Sequence, residues 1–94
     1  MNFIELFDAV VRKTKLVLDK YAPPTSMDDA LANLGLDSLD YVMIFMEMGD
    51  IFGIPEELAD NPPEIITVQD MKNFIDEHKT KDFESAAAAM ESVK

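Results

Sequence analysis

The feature that most constrains the fold is an apolar run at residues 39–52, with hydrophobic side chains on nearly every side of a predicted helix. At about 100° per residue, one face of this helix holds Tyr41, Ile44, Phe45, Met48 and Phe52. The opposite face holds Leu39, Met43, Met46 and Asp50, with Val42 at one edge and with Asp40 and Glu47 at the other. Because a small domain cannot bury both faces, we expect the first in the core and the second exposed as a docking strip rimmed by acids. Packing of part of the second face under the preceding loop is the alternative.

The rest of the chain predicts an all-α fold. Residues 2–21 have the periodicity of an amphipathic helix that ends before Pro23-Pro24. Its predicted apolar stripe consists of Phe3, Phe7, Val10, Thr14, Val17 and Tyr21, and it is widened by Ile4, Val11 and Leu18. Residues 22–37 are predicted to form a long loop, with a possible helical turn at 27–33, and the second helix follows at 38–52. A short turn is expected at 56–59, and a break at Asn61-Pro62-Pro63. We therefore predict a small three- to four-helix bundle, up-down, with a long first loop.

The last predicted helix begins after Thr67, which is expected to cap it, with Asp70 three residues on as an imperfect capping box. Its apolar stripe consists of Val68, Met71, Phe74 and Ile75. Residues 1–79 are predicted to form the domain and residues 80–94 a C-terminal extension. The four alanines at 86–89 favour a helix in which Phe83, Ala87 and Met90 share a side, and a frayed helix or a flexible tail are both open.

Composition limits the classes of partner. The 94 residues carry a net charge of −11, from 19 acids and 8 bases, which favours partners with basic patches over nucleic acid or anionic membranes. The absence of cysteine excludes disulfides and thiolate metal sites, so any thiol function needs a prosthetic group. No signal peptide is recognisable, and no apolar run reaches the roughly 18 residues of a membrane span. We expect a cytoplasmic monomer with no membrane span.

The stretch Leu34-Gly35-Leu36-Asp37-Ser38-Leu39-Asp40 precedes and begins the second helix. Asp37 and Ser38 are residues that start helices, and Gly35 allows a sharp turn upstream. Ser38 is therefore expected in the first turn with an outward hydroxyl, at the helix end that favours a phosphate ester. A serine hydrolase needs a base, but the single histidine, His78, is expected at the far end of the last helix. The residues thus offer a reactive hydroxyl without catalytic residues or a metal site.

This stretch, followed by Val42, resembles the attachment site of acyl carrier proteins. The resemblance implies that Ser38 carries 4′-phosphopantetheine, transferred from coenzyme A by a holo-acyl-carrier-protein synthase that uses Mg²⁺. It also implies that the thiol of the arm carries acyl groups as thioesters, and that the second helix is the recognition helix. The partner-binding residues expected on it are Asp37, Leu39, Asp40, Val42, Met43, Met46, Glu47 and Asp50.

The partners implied by the resemblance are ketosynthases, acyltransferases and other acyl-processing enzymes with basic patches. Two positions depart from the fatty-acid carriers, since Met43 and Gly49 stand where those proteins usually carry acids. Fatty-acid, polyketide and specialised-lipid biosynthesis therefore all stay open. Two alternatives to an acyl carrier are an aminoacyl or D-alanyl carrier that uses the same serine, and an unmodified acidic helical adaptor.

Overall fold

The computed structural model describes residues 1–15, 17–60 and 63–93, and over these residues it is a bundle of five α-helices with no sheet. The helices are α1 (Phe3–Thr14), α2 (Ser38–Phe52), α3 (Glu56–Asp60), α4 (Val68–His78) and α5 (Ala86–Glu91), with a 3₁₀ turn at Leu31–Asn33. The prediction of a small all-α bundle is confirmed. None of the described helices combines the length and the apolar character needed to cross a membrane.

Helix α1 ends at Thr14, so the prediction of a helix through residue 21 is wrong. The backbone of Lys15 is extended, with φ −108° and ψ 122°. Tyr21 instead donates a hydrogen bond to Asp8 at 2.8 Å, and a continuous helix would have placed these residues about 20 Å apart at 1.5 Å per residue. The proline pair limits how far a helix can extend, but this tertiary contact requires the chain to turn back earlier. Val17, expected on the apolar stripe, is exposed.

Helix α2 spans the predicted residues. Ile44, Phe45, Met48 and Phe52 are buried and Tyr41 is half-buried, which confirms the predicted core face. On the core side α1 contributes Phe3, Leu6, Phe7, Val10 and Val11, of which Leu6 lay outside the predicted stripe. Gly49 lies against α3, where a Cβ built on it would be 3.3 Å from that of Ala59. Glycine lowers the stability of a helix, and its presence at position 49 is explained by the close packing of α2 against α3.

The long loop is held by main-chain hydrogen bonds to the start of α4. The amide of Leu31 donates to Ile66 at 2.8 Å, and the amide of Val68 donates to Asp29 at 3.1 Å. The amide of Gln69 donates to Met27 at 2.8 Å. Leu31 and Leu34 are buried beneath the loop, as expected for its apolar residues. These contacts fix the path of the chain toward Ser38.

Helix α4 begins as the sequence predicts. Its capping box is complete, because Asp70 donates its amide to Thr67 Oγ1 at 3.1 Å and Asp70 Oδ2 accepts from the Thr67 amide at 3.0 Å. The four residues of its predicted stripe are all buried. Helix α3 confirms the predicted turn after Pro55 and extends it to Asp60. The predicted break at residues 61–63 lies mostly outside the described residues, since Asn61 and Pro62 are not among them.

The C-terminal extension contains a short helix packed on α1. Ser85 caps α5 by accepting a hydrogen bond from the Ala88 amide at 3.1 Å, and Ala86 and Ala89 are buried. Ala87 is predicted from the sequence to share a side with Phe83 and Met90, but it is exposed. The side of α5 that packs on the core is the one that holds Ala86 and Ala89. The division between residues 1–79 and 80–94 stays a prediction.

If α5 is docked as described, a charge at Ala89 destabilises the protein and a charge at Ala87 does not. Ala89→Asp should lower the free energy of unfolding by roughly 1–3 kcal/mol, since it buries an unpaired carboxylate. Ala87→Asp, on the exposed side of the same helix, should change it by less than about 0.5 kcal/mol. Urea denaturation of both variants checks this expectation. Equal effects would show that α5 does not pack on α1 through Ala89 in solution.

Candidate functional site

Ser38 is the first residue of α2 and is exposed. Asp37 precedes it as the N-cap, and Asp37 Oδ1 accepts a hydrogen bond from the Asp40 amide at 2.9 Å. Asp40 Oδ2 accepts in return from the Asp37 amide at 2.9 Å, which completes a capping box around the serine. The side chain of Ser38 makes no hydrogen bond to another described residue. Its hydroxyl is therefore available to another molecule, as the sequence predicts.

Asp40 is also joined to α1. Lys15 Nζ lies 2.8 Å from Asp40 Oδ2, and only 15% of the Asp40 side chain is exposed. The hydrogen bond from Lys15, followed by that from the Asp37 amide, lowers the pKa of the Asp40 carboxyl. One carboxylate thus connects the cap of α2 with the C-terminal end of α1, so it holds the turn that carries Ser38 against the bundle.

Gly35 allows the chain after α1 to lie against the stretch before Ser38. Its φ is +76°, in the region that favours glycine, and a Cβ built on it would be 1.8 Å from the backbone oxygen of Lys20. The amide of Ala22 also donates to the Leu34 carbonyl at 3.0 Å. A cleft of about 400 Å³ lies beside these contacts, and its lining includes Lys15, Lys20, Asp37 and Asp40.

The second face of α2 is exposed, as predicted. We call its apolar part the apolar strip, and it consists of Leu39, Val42, Met43 and Met46, which are 70%, 53%, 42% and 46% exposed. Packing under the loop, the alternative for these residues, does not occur. The strip begins at the residue after Ser38, so a protein that reaches the serine can contact the strip at the same time.

The acids beside the strip differ from the expected rim, because two of them are covered. Glu47 lies 3.1 Å from Lys13 Nζ, and only 13% of its side chain is exposed. Asp40 is paired with Lys15, as described above. Asp37 and Asp50 are exposed. The sequence could not show this difference, because the lysines belong to α1 and reach α2 only in the folded bundle. A role for any of the four acids in partner binding stays a prediction.

An apolar cleft of about 370 Å³, which sequence reasoning did not identify, opens on the other side of α2. Its lining consists of Leu31, Ala32, Tyr41, Phe45, Pro63, Ile65 and Ile66. Tyr41 lies one helical turn after Ser38, and its hydroxyl donates to the Leu31 carbonyl. The adjacent isoleucines after the prolines were a signal for apolar surface, but their approach to α2 depends on the loop contacts with α4.

His78 lies at the C-terminal end of α4 and is not hydrogen-bonded to Ser38 in the described part of the chain. Its ring packs against Phe74, with 4.9 Å between the ring centroids. Ser38 therefore presents an exposed hydroxyl at the start of a capped helix, with the charged cleft, the apolar cleft and the apolar strip close to it.

The Asp40–Lys15 pair gives a pH-dependent contribution to stability. Because the folded-state pKa of Asp40 is lowered, the carboxylate stabilises the fold above its unfolded pKa of about 3.9 and loses this effect as the pH falls. Asp40→Asn should therefore lower the free energy of unfolding by about 1 kcal/mol or less at pH 7, and by less at pH 3. Asp50→Asn, at an exposed acid with no ion pair among the described residues, is the matched control. Urea denaturation at several pH values measures the difference in unfolding free energy between Asp40→Asn and the wild type. A difference that stays constant from pH 7 to pH 3 would show that the charge of Asp40 does not stabilise the fold.

In comparisons with known proteins, no family model matches the chain, and no solved structure matches it either.

Proposed function

We propose that this protein is an acyl carrier protein that bears 4′-phosphopantetheine on Ser38 and carries acyl intermediates as thioesters. The observation that carries the proposal is the position of Ser38, exposed at the first residue of a capped helix and directly followed by the apolar strip. A modifying enzyme needs an accessible hydroxyl and a surface to hold beside it. The apolar strip extends along α2 from the next residue, so one partner can use both.

The residues around Ser38 fit a phosphodiester. The amide groups in the first turn of α2 and the helix dipole favour an anion there. Asp37 and Asp40 would repel the anion, but Lys15 neutralises one of these charges at 2.8 Å. Lys20, on the lining of the adjacent cleft, offsets Asp19 on the same lining. When bound, phosphopantetheine supplies the thiol that this cysteine-free chain lacks.

The apolar cleft fits an acyl cargo. Its lining is mostly hydrocarbon from the loop, from α2 and from the segment before α4, and Tyr41 places it one turn from Ser38. Each buried CH₂ contributes about 0.8 kcal/mol, so burial of a few methylenes would compete with leaving the chain in water. Aminoacyl cargo would gain less there, because its amino group would have to be desolvated. The cleft therefore favours acyl cargo over the aminoacyl alternative.

Modification of the purified protein tests the proposal. After incubation with coenzyme A, Mg²⁺ and a broad-specificity phosphopantetheinyl transferase, intact-mass spectrometry should show the gain of one phosphopantetheine group. Ser38→Ala should show no gain and should remain folded, since an outward serine hydroxyl contributes about 1 kcal/mol or less. Ser85→Ala, which removes the capping serine of α5, is the control and should still be modified.

A wild-type protein that gains no mass with several such transferases would overturn the carrier function. The apolar strip would then support the unmodified adaptor as the remaining function, because that function needs the exposed strip but no modification. Modification at a residue other than Ser38 would also contradict the proposal. Tandem mass spectrometry of a proteolytic digest locates the group.

The apolar cleft should stabilise the acylated protein. Loading the arm with a medium-chain saturated acyl group should raise the melting temperature by several degrees, which corresponds to roughly 1 kcal/mol for a domain of this size. Ile66→Asp places a charge on the cleft lining at an exposed position and should abolish this rise. Leu58→Asp, at an exposed leucine of α3 outside both clefts, is the control. An equal rise in both variants would show that the acyl chain lies elsewhere.

A further inference from the structure

Two acids of α2, Asp40 in its first turn and Glu47 two turns later, form ion pairs with lysines from the same chain. Lys15 pairs with Asp40 and Lys13 pairs with Glu47, and neither acidic side chain is more than 15% exposed. Lys13 is itself held in place, because its Nζ also donates to the Val93 carbonyl at 2.9 Å. The two pairs lie along one edge of the apolar strip, since Asp40 and Glu47 are two turns apart on α2.

The apolar strip is consequently without available charge in its middle. Its exposed surface is formed by Leu39, Val42, Met43 and Met46. Because Met43 is apolar, no polar side chain interrupts this surface between Leu39 and Met46. The exposed acids lie at its two ends, with Asp37 before Ser38 and Asp50 beyond Met46. At 1.5 Å per residue, these two carboxylates are about 20 Å apart along the helix axis.

We propose that the apolar strip binds an enzyme whose docking site is apolar in the middle and carries cations only toward its ends, and that Lys13 and Lys15 mask Glu47 and Asp40 from that enzyme. This inference rests on the proposed function, which requires a holo-synthase to act at Ser38. A partner with a row of cations along its groove would meet neutral ion pairs instead of free carboxylates and would desolvate its charges without compensation. The lysines of α1 thus select against such partners.

A second copy of this chain is the competing occupant of the strip. Each copy carries a net charge of −11, and a symmetric contact would bring the exposed acids of both copies close together. Charge repulsion therefore favours a basic-ended enzyme over self-association.

The probe is a phosphopantetheinyl transferase with a row of basic residues along its docking groove, the kind of partner that the masking selects against, with kcat/KM for modification of Ser38 measured from low to physiological salt. Lys13→Met, which frees Glu47 away from Ser38, should raise kcat/KM at low salt by roughly two- to fivefold, in line with the strength of a partly exposed ion pair, and should steepen its salt dependence. Lys72→Met is the matched control, because it also removes one positive charge and one ion pair, with Asp76 on α4. It should leave the salt dependence close to that of the wild type.

The apolar contact is tested by Leu39→Ala, which should lower kcat/KM about tenfold at every salt concentration. Leu58→Ala, at an exposed leucine of α3 outside the strip, should change it less than about twofold. Melting temperatures show that each variant is folded. Should a lysine variant not fold, Glu47→Gln and Asp50→Asn replace it. If Glu47 is masked by Lys13, Glu47→Gln removes a charge that the enzyme does not contact. It should therefore lower kcat/KM less than Asp50→Asn does.

Several results would overturn the inference while leaving the carrier function intact. These are equal salt slopes for Lys13→Met and Lys72→Met, a larger loss for Glu47→Gln than for Asp50→Asn, or a stable dimer that Leu39→Ala dissociates in sedimentation velocity. A wild-type chain that gains no mass would instead remove the carrier function, and the inference would fall with it.

Discussion

The capping box at the start of α2 is the interaction on which the arrangement around Ser38 depends. Asp37 and Asp40 each accept a main-chain hydrogen bond from the other, so the direction in which the chain enters the helix is fixed. Lys15 then binds the same carboxylate that completes the box, which couples the cap to α1. Ser38 lies between these two acids with its hydroxyl unused. Asp37 and Asp40 supply the side-chain hydrogen bonds of the first turn, so the Ser38 hydroxyl is left without a hydrogen-bond partner among the described residues.

The loop before Ser38 is long, yet its path is well determined. Its main-chain groups bond to the residues that begin α4, and Leu31 and Leu34 are buried beneath it. Gly35 permits the close approach of the Lys20 carbonyl, which brings the segment after α1 to the same place. Three separate segments therefore meet at the N-terminal end of α2. Their meeting forms the charged cleft on one side, and the loop contacts with α4 form the apolar cleft on the other.

Charge on this protein is distributed less simply than its net value suggests. A net charge of −11 describes the field that a distant partner encounters, and that field favours basic partners. At contact distance α2 is nearly neutral between the exposed Asp37 and Asp50, because the two acids between them are paired with Lys13 and Lys15. Long-range attraction and short-range recognition can therefore have different origins here, the first in net charge and the second in the apolar strip.

The sequence by itself determined α2, its cap, its core face and its exposed face, because local hydrogen bonding and helical periodicity are properties of consecutive residues. The same holds for the Thr67–Asp70 box and the buried stripe of α4. Only the tertiary structure decided where α1 ends, since Tyr21 turns back to bond Asp8. It also decided which alanines of α5 are buried, that Lys13 and Lys15 cover Glu47 and Asp40, and that Ile65 and Ile66 line a cleft with Tyr41. Each of these features is a contact between residues far apart in the chain, and no local pattern records which distant side chains will meet.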